Sequence, residues 1–104
     1  MALFRYKTAK DPFYIELGWS GMSYLKNPIT INLLKKGTNG EFSAKKEIGK
    51  IKYEKEKAKQ GYAFKVNNLG EVIVKWQRKF LIITEIQVLV NGEKLKGNEV
   101  LNYK

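Results

Sequence analysis

The chain has 104 residues and carries twenty Lys and Arg against ten Asp and Glu, a formal net charge of +10 with a pI near 9.8. Apolar residues make up 43% and charged residues 29%, the balance of a folded protein, and the length predicts one basic domain over residues 1–104 with a single core. Cys and His are absent and Asp occurs once, at Asp11, which excludes disulfides, thiol chemistry, the common zinc sites and the Ser-His-Asp and Cys-His arrangements.

Glycine turns rather than linkers punctuate the chain, since proline occurs only at Pro12 and Pro28. Leu3 to Thr8 is the first candidate strand. Phe13 to Leu17 is the second, alternating Phe13, Ile15 and Leu17 against Tyr14 and Glu16. The loop from Gly18 to Tyr24 sets Trp19, Met22 and Tyr24 between small residues, and such side chains either lid the core or meet a partner. Ile29 to Lys36 is the third strand, closed by Gly37-Thr38-Asn39-Gly40, with Glu41 to Ile48 returning.

Next, Ile51 and Tyr53 alternate with Lys50, Lys52 and Glu54, and across a polar loop Tyr62, Phe64 and Val66 alternate with Ala63 and Lys65. This pattern predicts a hairpin from Ile48 to Val66 with Lys50, Lys52 and Lys65 on its outer face. Asn67-Asn68-Leu69-Gly70 turns into Glu71 to Gln77, where Val72, Val74 and Trp76 are apolar and Lys75 lies opposite. Phe80 to Val90 fits helical spacing in places, but its β-branched residues favour a strand. Asn91-Gly92 then signals a hairpin, with Glu93 to Leu95 or Val100 to Tyr103 coming back. The expected fold is all-β: a small antiparallel barrel or curved sheet of about six to eight strands, with room for one short helix.

The charge implies a polyanionic partner, nucleic acid above all. Eighteen of the twenty basic residues are Lys, with Arg only at Arg5 and Arg78. Lysine is a point charge and arginine the bidentate base reader, so the expectation is single-stranded DNA or RNA bound with little sequence specificity. Lys50, Lys52, Lys65, Lys75, Arg78 and Lys79 are the candidate phosphate contacts, and Tyr14, Trp19 and Tyr24 the candidate stacking platforms. The alternative is a structural or interaction module, such as a small viral or phage component or an inhibitor, docking on an acidic protein surface.

No catalytic residue, metal or cofactor is expected. The phosphate-cradling glycine motifs are missing, and only a small basic ribonuclease working with Lys, Arg, Glu and Tyr stays open as an enzyme. Phe80 to Val90, the most apolar run, is shorter than the ~20 residues of a membrane span. Met1 to Pro12 lacks a signal-peptide pattern, so an intracellular, soluble, cytoplasmic or nucleoid-associated protein is expected. Homodimerisation is expected through an edge strand, Leu3 to Thr8 or Phe80 to Val90.

Overall fold

The structure, a computed structural model, describes residues 2–21, 24, 26–78 and 84–100. The described residues are all-β with one short helix. The described strands are β1 (Ala2–Lys7), β2 (Phe13–Trp19), β3 (Ile29–Lys36), β4 (Phe42–Ile51), β5 (Tyr62–Val66), β6 (Gly70–Arg78), β7 (Thr84–Val90), β8 (Glu93–Lys94) and β9 (Gly97–Val100), with helix α1 (Lys55–Gln60) before β5. They form two open antiparallel sheets, ordered β4-β3-β2-β1-β9 and β5-β6-β7-β8, so no barrel closes and the described strands outnumber the six to eight expected. The chain divides into two compact units, residues 1–53 with 96–104, and residues 54–95.

In the first unit, Ile15 lies opposite both Tyr6 and Leu33, and Leu17 opposite both Phe4 and Ile31. Residues paired in this way share a face, and Tyr6, Ile15, Leu17, Ile29, Ile31 and Ile51 make it apolar and buried. Burying each such aliphatic side chain contributes about 1.5–3 kcal/mol. The turn from β1 to β2 is fastened by Thr8, whose hydroxyl donates to the carbonyl oxygens of Lys10 (3.1 Å) and Phe13 (2.7 Å). Two irregularities in the β3–β4 register, at Ile31/Asn32 and Leu33/Lys35, bend β4 against its neighbour.

In the second unit, β6 is the spine. Val72, Val74 and Trp76 are buried and pair across to Val90, Val88 and Ile86 of β7 on one side, with Phe64 and Tyr62 of β5 opposite Val72 and Val74 on the other. The β7–β8 turn is the Asn91-Gly92 pair with φ of 51° and 85°, as that dipeptide predicts.

The expected Ile48 to Val66 hairpin does not exist. β4 stops at Ile51 and pairs with β3, β5 pairs with β6, and Lys55–Gln60 between them is helical. Those six residues are all good helix formers, Ala58 is buried, and Gly61 ends the turn by donating its N–H to the Lys57 carbonyl at 2.8 Å. Leu3 to Thr8 is not an edge either: β1 lies inside its sheet, between β2 and β9. The strand reading of Phe80 to Val90 holds for Thr84–Val90, while residues 80–83 lie outside the described residues. Glu93–Lys94 is the strand that returns onto it, and Gly97–Val100 pairs with β1 instead.

Candidate nucleic-acid interface

Alternation along β2 places Ile15 and Leu17 on the apolar face and Tyr14, Glu16 and Gly18 on the opposite one. Register extends this second face across the sheet. Arg5 and Asn32 flank Glu16, Lys7 and Leu34 flank Tyr14, Leu3 and Thr30 flank Gly18, Phe42 is opposite Lys36, and Lys50 is opposite Thr30.

The centre of the face is an ion cluster. Glu16 is fully buried, yet Arg5 Nε donates to its Oε2 at 3.1 Å, while Lys45 Nζ (2.9 Å) and Asn32 Nδ2 (3.2 Å) both donate to Oε1. Burial by itself would raise the Glu16 pKa. The bonds from Lys45, Arg5 and Asn32 outweigh it and hold the carboxyl below its ordinary value, so Glu16 is an anion with both oxygens engaged.

Beside the cluster lies an aromatic and cationic strip. Tyr14 and Phe42 meet edge to face, 4.9 Å between centroids at 87°. The Lys36 ammonium stands 5.7 Å from the Tyr14 ring centre and 5.9 Å from that of Phe42, and the Arg5 guanidinium sits 4.4 Å over Phe42. Both rings are half-buried, whereas Lys7, Lys36, Lys45 and Lys50 are exposed. The strip therefore combines rings held on strands with cations set over them.

The residues singled out in the sequence divide between the two units. Tyr14 and Lys50 belong to this face. Lys52 follows β4 and is exposed. Lys65, exposed on β5, and Lys75, half-buried on β6, belong to the second unit, and the hairpin expected to carry Lys50, Lys52 and Lys65 on its outer face is not formed. Lys79 and the side chain of Arg78 lie outside the described residues.

Trp19 requires a correction. It is the last residue of β2 and not part of a loop, and it is only 9% exposed because its ring stacks on Phe4 (5.4 Å, 17°) and meets Tyr24 edge-on at 5.5 Å. Of the two fates open to it, the core lid is the one observed, and a ring so covered is no base platform. Tyr24 is half-buried between Trp19 and Tyr53, whose ring centre is 5.4 Å away.

Sequence reasoning passed over Arg5, Lys36 and Phe42 as parts of this face. The available signal was Tyr14 out of phase in β2, which marks the face but not the strands that flank it. Comparison of the chain with protein-family models, characterised proteins and solved structures gives no match. Among the described residues no helix is long and apolar enough to cross a membrane.

Proposed function

We propose that the chain binds single-stranded nucleic acid, with little sequence preference, along the polar face of the first sheet. The observation that carries this is the Tyr14–Phe42 pair with Lys36 over both rings and Arg5 over one. Bases stack on any π-face, and cations spaced along the strands neutralise the backbone, so aromatic rings among lysines suit a single strand better than a duplex. Lys7, Lys36 and Lys50 are the exposed cations assigned to phosphates, and Tyr14 with Phe42 the stacking surface. Arg5 and Lys45 anchor the face through Glu16.

Fluorescence anisotropy of a labelled oligothymidylate against increasing protein at low salt tests the proposal. Saturable binding that weakens steeply with added salt supports it. No binding, together with salt-sensitive association with an acidic polypeptide, favours the protein-docking alternative.

A further inference from the structure

The polar face hollows where β2 stops, into a pocket of about 390 Å³. That is the size of a small-molecule site. Leu3 and Pro28 supply apolar wall, and at the end of β2 the pocket runs along Gly18, which has no side chain, and Trp19, whose ring is turned to Phe4 and Tyr24. Glu16, Ser20, Thr30, Asn32, Lys45 and Glu47 add the polar groups.

These polar groups are unevenly committed. Lys45 is tied to Glu16. Asn32, 6% exposed, donates Nδ2 to Glu16, which leaves its Oδ1 an acceptor with no hydrogen bond among the described residues. The Thr30 hydroxyl and the Glu47 carboxylate are likewise without a described partner. In a chain of net charge +10, then, this pocket sets two carboxylates, Glu16 and Glu47, against one ammonium, and of the two only Glu47 has its acceptors uncommitted among the described residues. A phosphate would face Glu47. The ligand must be partly apolar and carry donors for Glu47.

Among nucleobases, guanine alone presents two neighbouring donors, N1–H and the N2 amine, which one carboxylate can accept together, and its O6 suits an ammonium. Adenine and cytosine set a single amine beside an unprotonated ring nitrogen that a carboxylate repels, and uracil and thymine place one N–H between two carbonyls. We propose that the pocket takes one guanine base, with Glu47 accepting from N1 and N2, Lys45 donating to O6, and Asn32 Oδ1 and Thr30 completing the acceptor set. This inference rests on the reading that a single strand lies on this face, and gives that otherwise tolerant footprint one selective position. A site built to pair hydrogen-bonding groups rejects a ligand that leaves them unpaired more strongly than it rejects a change of size.

Isothermal titration of the full chain with the four nucleoside 5′-monophosphates is the test, since each carries the same phosphate and differences report the base. Guanosine monophosphate is expected to bind at least about tenfold more tightly than the others, the scale of one good bidentate base contact. Glu47→Gln, at an exposed residue without a described partner, should abolish the preference, so that guanosine monophosphate binds this variant no more tightly than the other three do. Thr30→Val should weaken guanosine monophosphate by a smaller factor. Equal affinities, a preference for another base, no binding by any of the four, or a guanine preference that survives Glu47→Gln each overturn the proposal. Oligothymidylate separates the two readings. If it binds while the four mononucleotides do not differ, the strand reading stands and the guanine pocket fails; a guanine preference without oligothymidylate binding has the opposite meaning.

Discussion

Lys45 Nζ lies 2.9 Å from Glu16 Oε1 although the two residues stand on strands separated by β3, so this ion pair spans β3 across the polar face. Lys45 stays well exposed while the Glu16 side chain is almost wholly covered. The pair thus joins a buried anion to a cation still in contact with water, and Arg5 does the same from the other side of β2.

Glu16→Gln should destabilise the fold by about 2 kcal/mol in urea unfolding, the range of a lost charge-assisted hydrogen bond. The larger penalty of an orphaned buried ion should not appear, because Arg5 and Lys45 can turn to solvent. A pH dependence follows from the depressed pKa. The carboxylate's contribution is complete above the unfolded glutamate pKa of about 4.3 and fades as pH falls through the lower folded value. The wild type should therefore lose more stability than Glu16→Gln on acidification below about pH 4.3, and parallel curves would contradict the assignment.

Trp19→Ala should act on stability and not on ligand contact. With Phe4 and Tyr24 against its ring, truncation is expected to cost about 3–5 kcal/mol. A variant that unfolds at the wild-type urea midpoint but binds oligonucleotide weakly would reverse this placement.

Asn91 ties two turns of the second sheet together. Its Nδ2 donates to the Leu69 carbonyl and its Oδ1 accepts from the Glu71 N–H, both at 3.0 Å, with φ at 51°. Asn91→Gly keeps the backbone conformation and loses both bonds, so it should cost about 1–2 kcal/mol. Asn91→Ala should cost roughly a further 1 kcal/mol for the strained φ. Equal thermal midpoints for the two variants would show that the backbone angle contributes nothing.

Gly97 faces the Tyr6 ring, and a Cβ there would overlap the ring atoms. Tyr6 is buried, so the ring cannot swing aside freely. Gly97→Ala should destabilise by about 1–3 kcal/mol through overpacking of the β1–β9 pair. Tyr6→Leu in the same chain should recover part of the loss, which thermal unfolding of the double variant measures.

The all-β class and several strand limits were legible because turn chemistry marks them: Gly37 to Gly40 closes β3, and Asn91-Gly92 closes β7. The false hairpin arose because the alternation through Ile51 and Tyr53 outlasts the strand, and because a six-residue helix with one buried side chain, Ala58, shows almost no apolar periodicity. Helix propensity from Lys55 to Gln60 followed by Gly61 was the overlooked cue. The polar face was legible only at Tyr14. Glu16 gives no sign of burial in sequence, since its partners Arg5, Asn32 and Lys45 come from three other strands.

The proposed interface is tested most directly by the salt dependence of oligothymidylate binding to the wild type and to the Lys7→Gln, Lys36→Gln, Lys50→Gln triple variant. All three residues are exposed and lie on the polar face of the first sheet, so folding should be unaffected. Each phosphate contact contributes about 0.7 to the log-log slope for a single strand, so the triple variant should bind more weakly and lose about 2 units of slope. Wild-type affinity and slope in the triple variant would contradict the account.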